Sequence, residues 1–130
     1  MKFLCLVCAE KVMEQMPEAD AEKHFEDYRA FIEDIRRSGH FVGCNRLLPP
    51  SSATTIRVRK GKISTTDGPW VETKEQLGGY FLIEASDLDE AVQVAARIPG
   101  AWIGCVEVRP VAEDARTLEV LGLSAAGGAR

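Results

Sequence analysis

The sequence contains few histidines and no long apolar run near its start, and each shortage excludes a class of function. Two histidines and four cysteines lie among 130 residues, and none of their spacings is typical of a metal site, so we expect no bound metal. The first apolar run, residues 3–8, is too short for a signal peptide and far too short to span a bilayer. We therefore expect a cytoplasmic protein with no membrane partner.

An excess of basic residues is also missing. The chain has 16 basic and 20 acidic residues and a formal net charge of −4, which argues against a general nucleic-acid binder. One basic stretch, residues 57–62 (RVRKGK), is interpreted as the solvated end of a hairpin. Neither a phosphate loop nor a dinucleotide fingerprint occurs, so we expect no cofactor.

Apolar residues make up 45% of the chain, enough for a hydrophobic core. Residues at spacings of three and four predict a helix over 17–38 that ends before Gly39. Asp87 is the predicted N-cap of a second helix, which stops before Pro99. Apolar runs and alternation predict strands at residues 2–8, 41–47, 55–59, 62–66, 80–85 and 102–109. The dipeptide Lys60-Gly61 is a plausible two-residue turn, so residues 55–66 form a predicted hairpin.

This order of elements predicts an α+β fold, a ferredoxin-like βαββαβ arrangement with an inserted β-hairpin. Both helices then cover one face of an antiparallel sheet, and a second copy of the chain is expected to cover the other face. We therefore predict a homodimer. The predicted domain spans residues 1–111, and residues 112–130 form a tail, of which residues 124–130 are expected to be disordered.

Cys5 and Cys8 form a C-x-x-C motif, which suggests a redox or metal site. Within a strand, however, residues three apart point to opposite faces. We therefore predict that these two cysteines are buried free thiols.

Residues 66–79 (TDGPWVETKEQLGG) combine turn-forming residues with a cluster of charges. The segment is interpreted either as a structural loop or as the lining of a ligand cleft with an aromatic floor. In the second case it binds a small polar ligand through Asp67, Gly68, Pro69, Trp70, Glu72, Thr73, Lys74 and Glu75.

An acid/base site is a further possibility. His24 and Tyr28 are four residues apart on the first predicted helix and share a face. With Asp67 they are candidate catalytic residues for proton transfer. The alternative is that Tyr28 belongs to the apolar stripe of the helix and His24 lies at its rim.

One motif contains Asp67, Gly68, Pro69 and Trp70, followed by Glu72-Thr73-Lys74-Glu75 and the pair Gly78-Gly79. It resembles the signature of DGPF-type members of the YCII-related protein family. The resemblance covers roughly residues 2–111, and Trp70 stands where phenylalanine is usual. It implies a dimeric α+β barrel and, for some members, a setting beside extracytoplasmic-function sigma factors. The broader family is associated with a His–Asp pair, but Tyr28 occupies the usual histidine position and His24 lies one turn earlier.

Three hypotheses for function remain. The leading one is a small homodimeric protein that binds a polar metabolite beside residues 67–75, in an accessory or regulatory role. The second is a small acid/base enzyme that uses Asp67 with His24 and Tyr28. The third is a protein-binding partner in sigma-factor-linked regulation. Whether the chain is an enzyme is left open, because no complete catalytic constellation occurs in the sequence.

Overall fold

The computed structural model describes residues 1–9 and 16–123. Its helices and strands, in chain order, are β1 (Lys2–Ala9), α1 (Glu18–Arg37), β2 (Phe41–Arg46), β3 (Thr54–Arg59), β4 (Lys62–Asp67), β5 (Gln76–Glu84), α2 (Leu88–Ala95), β6 (Cys105–Pro110) and α3 (Ala115–Leu121). Short 3₁₀ turns lie at Pro50–Ser52 and Pro99–Trp102. The predicted disorder of residues 124–130 concerns a segment outside the described residues.

Four strands form one antiparallel sheet in the order β2-β5-β1-β6. This is the strand order of the ferredoxin-like fold, so the predicted α+β class is confirmed. The strands β3 and β4 pair only with each other and form a separate two-stranded sheet, as expected for an inserted hairpin. Lys60 and Gly61 both have positive φ, +51° and +75°, which is the type I′ turn that matches the twist of a hairpin.

One face of the sheet carries the hydrophobic core. Alternate strand residues meet the buried faces of α1 and α2 in one cluster of Phe3, Cys5, Val7, Phe31, Ile35, Phe81, Ile83, Ala85, Ala91, Val94, Ala95 and Ile98. Strand residues that alternate with these point the other way, because side chains along a strand alternate between faces. Both long helices therefore lie on one side of the sheet, as the sequence predicted.

We call the opposite side the open face. It carries Leu4, Leu6, Cys8, Tyr80 and Leu82, which are half-buried within the chain. None of these five belongs to the core cluster or to the side chains packed against it. Asn45 lies opposite Tyr80 on this face and donates a hydrogen bond from Nδ2 to the Tyr80 hydroxyl at 2.7 Å.

The end of α1 is fixed by a Schellman motif. The amides of Gly39 and His40 donate to the carbonyl oxygens of Arg36 and Ile35, at 3.3 and 3.0 Å. Gly39 has φ +83°, the left-handed conformation expected of a helix C-terminal glycine. At the start of α2, the Asp87 side chain accepts from the Glu90 amide at 2.9 Å, which confirms the predicted N-cap.

One sequence-based assignment at the C-terminal end needs correction. The last strand begins at Cys105, not at residue 102, because Pro99 starts a 3₁₀ turn that includes Trp102. Trp102 lies on the surface, and its indole nitrogen donates to the Ala96 carbonyl at 3.1 Å. Within the predicted tail, residues 115–121 form α3, which Asp114 caps and in which Leu118 is buried. The domain boundary at residue 111 stays a prediction. No helix among the described residues is long and apolar enough to cross a membrane.

Candidate functional site

Residues 67–75, here called the DGPW–ETKE segment, connect the hairpin to the central sheet. Its start is anchored on the strand entering β3: the Gly68 amide donates to the Ala53 carbonyl at 2.7 Å, and the Thr55 hydroxyl donates to the Gly68 carbonyl at 2.8 Å. Gly68 has φ +102°, a conformation that L side chains rarely adopt. The glycine in this motif is therefore required by the backbone.

The second half of the segment is held by one side chain. The side-chain nitrogen of Gln76, Nε2, donates to the backbone carbonyls of Val71 and Thr73, at 3.3 and 2.9 Å. It also lies 3.1 Å from the Thr73 hydroxyl. The Thr73 hydroxyl in turn donates to the Glu75 carbonyl. These bonds fix the turn formed by residues 71–76. The carboxylates of Glu72 and Glu75 take no part in these bonds.

Most of the segment is exposed in a single chain. Trp70 is 78% exposed, and residues 72–75 are also exposed. Two open depressions, of about 590 and 440 Å³, lie along α1 and share Phe25 and Arg29 in their linings. Neither is lined by any residue of the DGPW–ETKE segment. The ligand-binding role of these residues stays a prediction.

Gly78 and Gly79 end the motif, and only Gly79 is needed for close approach. A Cβ on Gly79 would lie 2.8 Å from the Asn45 carbonyl oxygen on β2, whereas a Cβ on Gly78 would meet nothing closer than 3.9 Å. The surface that approaches Gly79 is therefore the neighbouring strand of the same sheet.

Tyr28 holds α1 against the turn before β6. Its hydroxyl accepts a hydrogen bond from the Gly100 amide at 3.1 Å, and its ring stacks on Phe81 with centroids 6.1 Å apart. Burial raises the pKa of the Tyr28 phenol, against a smaller opposite effect of the Gly100 hydrogen bond. The phenol is therefore protonated at neutral pH. The interpretation of Tyr28 as part of the apolar helix stripe accounts for these contacts.

His24 lies at the edge of Tyr28, with ring centroids 4.9 Å apart and planes nearly perpendicular. Its Nε2 atom is buried and has no hydrogen-bond partner within the described part of the chain. Burial lowers the pKa of His24, against a smaller opposite effect of Asp27, so the imidazole is uncharged at neutral pH.

The three candidate catalytic residues do not form a hydrogen-bonded group in the single chain. Asp67 ends β4, where it pairs with Thr54 in the two-stranded hairpin sheet. His24 and Tyr28 contact each other on α1. Among residues 1–9 and 16–123, no hydrogen bond or ring contact joins Asp67 to either of them. A catalytic role for the three stays a prediction.

Sequence reasoning missed a cluster at the far end of β1. Cys8 lies directly opposite Cys105 on β6, and the two thiols interact. The negative charge of Glu75, from the end of the DGPW–ETKE segment, acts on both thiols. The prediction that Cys5 and Cys8 are buried is confirmed for Cys5, but Cys8 is only half-buried, and its partner Cys105 is exposed. The signal that could have revealed the pair is the strand register.

Comparison with known proteins gives two findings. The model of the YCII-related domain family matches residues 1–114. An uncharacterized protein of Rhizobium meliloti (strain 1021), R00369, is 35% identical over 105 residues, which cover 79% of this chain and 85% of that protein. Neither finding names an activity. The narrower DGPF-type assignment depends on the motif residues and stays a prediction.

Proposed function

The chain belongs to the YCII-related domain family, and on that premise we propose that it acts as a homodimer that binds a small polar ligand beside the DGPW–ETKE segment. Its role is accessory or regulatory, and its location is the cytoplasm. The observation that carries this proposal is the position of Glu75. This carboxylate belongs to the segment and acts on Cys8 and Cys105 at the end of the open face.

Two apolar surfaces support dimerisation. The open face places Leu4, Leu6 and Leu82 side by side across β1 and β5, outside the core cluster. The hairpin adds Ile56, Val58 and Ile63, which its register puts on one face and which are 63%, 54% and 74% exposed. Apolar patches of this kind on soluble proteins mark interaction surfaces. Because closed homodimers are the commonest oligomers, a second copy of this chain is the occupant we propose.

Dimerisation through the open face also completes the ligand site. Residues 70–75 of the DGPW–ETKE segment are exposed among the described residues of one chain, and the last of them, Glu75, borders the open face. A partner packed on that face supplies a wall beside the segment and converts an exposed loop into a cleft. Binding sites formed between subunits bury more of a small ligand than a flat surface does.

The residues of the segment indicate the chemistry of the ligand. Three carboxylates, those of Asp67, Glu72 and Glu75, outnumber the single Lys74, and Trp70 offers an exposed aromatic face. A cation is attracted both by carboxylates and by an indole ring. We therefore propose a small polar ligand that carries an amine or another cationic group.

A thermal-shift panel tests the proposal. Small amines, amino acids and matched carboxylic acids are added to the full-length protein and the melting temperature is recorded. A ligand at 100 times its dissociation constant stabilises the folded state by about 2.7 kcal/mol. We expect a cationic compound to raise the melting temperature of the wild type, and the rise to be lost in Trp70→Ala and Asp67→Asn.

Trp102→Ala is the matched control, because Trp102 is also exposed but lies in the turn before β6. It is expected to keep the ligand-dependent rise. A panel without any stabilising compound, or a rise that survives in Trp70→Ala, would contradict a ligand site at the segment.

A further inference from the structure

The register of β1 and β6 places two cysteines directly opposite each other. Cys8 pairs with Cys105, and the neighbouring pairs Val7–Val106 and Leu6–Glu107 continue the same antiparallel register. Directly opposed residues in an antiparallel pair have Cα atoms about 4.5–5.5 Å apart. A disulfide needs Cα atoms about 4.4–6.8 Å apart. The backbone therefore already holds these two residues at a separation that a disulfide accepts.

The other two cysteines lack such a partner. Cys5 and Cys44 both lie on the core face, where each is opposite Phe81, on the two sides of β5. Strand β5, at Phe81, therefore lies between Cys5 and Cys44. Of the four cysteines in the chain, only Cys8 and Cys105 are direct cross-strand partners.

Within one chain, the two thiols of the pair differ in access to solvent, and they lie at a corner of the open face, where the edge strand β6 begins. Cys105 is exposed at the first position of β6, whereas Cys8 is half-buried beside it. An exposed thiol can meet a reagent from solution, and a half-buried neighbour can then attack the product. This asymmetry is common to dithiols in which one cysteine reacts first and the second resolves the intermediate.

We propose that Cys8 and Cys105 form a redox-active dithiol that closes to a reversible cross-strand disulfide by exchange with low-molecular-weight disulfides. The proposal depends on strand register and does not depend on the ligand site.

The exchange takes place in two steps. The Cys105 thiolate attacks one sulfur of the small disulfide, whose S–S bond breaks and releases one small thiolate, and a mixed disulfide forms on Cys105. The Cys8 thiolate then attacks the Cys105 sulfur and releases the second small thiolate. The protein loses two protons and two electrons, and the small disulfide gains both electrons and becomes two thiols once protonated.

The surroundings of the pair set its rate. Burial, together with the negative charges of Glu75 and Glu107, raises the pKa of both thiols. Because only the thiolate attacks, exchange is slow at neutral pH and accelerates by about tenfold per pH unit while the thiols remain mostly protonated. Weak thiolate stabilisation also makes the disulfide harder to reduce, the reverse of a strongly oxidising pair.

The test uses oxidised glutathione as the probe on the reduced, full-length protein. Intact mass and free-thiol titration under denaturing conditions are recorded over time at pH 7 and pH 8.5. We expect the wild type to lose two hydrogen masses, to keep no glutathione adduct, and to fall from four titratable thiols to two. The oxidised chain should run as a monomer on a non-reducing gel.

Three single variants locate the bond. Cys8→Ser removes the resolving thiol and should accumulate a glutathione adduct, and Cys105→Ser removes the thiol that reacts first and should lose ring closure. Cys44→Ser, the control on the core face, should still lose two hydrogen masses. Cys105 is exposed, so its serine variant is expected to keep the fold, and circular dichroism of each variant checks this.

Four outcomes would overturn the proposal. They are a wild type that stays fully reduced at pH 8.5, a persistent adduct without ring closure, ring closure that survives in Cys105→Ser, and a disulfide-linked dimer in place of the intramolecular bond. The ligand panel described above has no bearing on these outcomes, so the two proposals fail separately.

Discussion

Removing the Tyr28 hydroxyl tests whether this residue is a structural contact between α1 and the turn before β6. The hydroxyl accepts from the Gly100 amide at 3.1 Å, and Gly100 is buried. In Tyr28→Phe the ring can keep its stack on Phe81, but the buried amide loses its acceptor. An unsatisfied buried donor costs about 1–3 kcal/mol. In a domain of this size the melting temperature falls by about 4 °C per kcal/mol, so we expect a decrease of about 4–12 °C.

Ser52→Ala is the control for this prediction. Its hydroxyl also makes one hydrogen bond, to the Pro49 carbonyl at 2.6 Å, but this bond is exposed and lies in the 3₁₀ turn Pro50–Ser52, outside the sheet. Water can replace it, so the expected change is within about 0.5 kcal/mol. Chemical denaturation with circular dichroism gives both free energies of unfolding. If Tyr28→Phe is no less stable than Ser52→Ala, the structural role assigned to Tyr28 is wrong.

Two further substitutions have expected outcomes. Gly79→Ala places a methyl 2.8 Å from the Asn45 carbonyl oxygen and should lower the free energy of unfolding by about 1–3 kcal/mol. In the control Gly43→Ala the added methyl meets nothing within 4 Å, so the free energy of unfolding should hardly change. Equal losses in the two variants would refute the close approach at Gly79. Hydrogen bonds from Ser86 and then His40 lower the pKa of Glu90 from its usual 4.5, so Glu90 stabilises the fold above pH 4.5 and this stabilisation disappears as the pH falls through the lowered value. Glu90→Gln should therefore melt below the wild type at pH 7 and converge with it in acid; a constant difference would contradict this.

Local patterns predicted the elements whose geometry is set by neighbouring residues. Gly39 and Gly61 adopt positive φ where a helix end and a two-residue turn require it. Alternation along β1 correctly assigned Cys5 and Cys8 to opposite faces. Each of these features depends on a few adjacent side chains, so a sequence alone contains the necessary information.

The features that the sequence did not reveal depend on the pairing of distant strands. The Cys8–Cys105 pair follows from the register between β1 and β6, which no local pattern contains. The alternating pattern also led to a predicted last strand that begins at Trp102. In the structure Trp102 belongs to a 3₁₀ turn that begins at Pro99, and the alternating pattern alone does not distinguish this turn from a strand. Segment residues such as Trp70 were identified as candidates from their motif, but Trp70 is 78% exposed, and the enclosure proposed for it involves a second chain that the sequence pattern does not describe.

The open face is the surface on which the proposed dimer and its ligand site both depend. Leu6 lies at its centre on β1 and is half-buried within the chain. A charge at this position is tolerated in a monomer whose sheet faces water, but it is costly in a dry interface. Val120→Asp, at a residue that is 80% exposed on α3, is the control for the added charge.

Sedimentation equilibrium at micromolar concentration measures this dependence directly. We expect the wild type and Val120→Asp to sediment with twice the mass of one chain, and Leu6→Asp to sediment as a folded monomer. A wild type that is folded and monomeric at these concentrations would contradict the central claim that a second copy of this chain covers the open face.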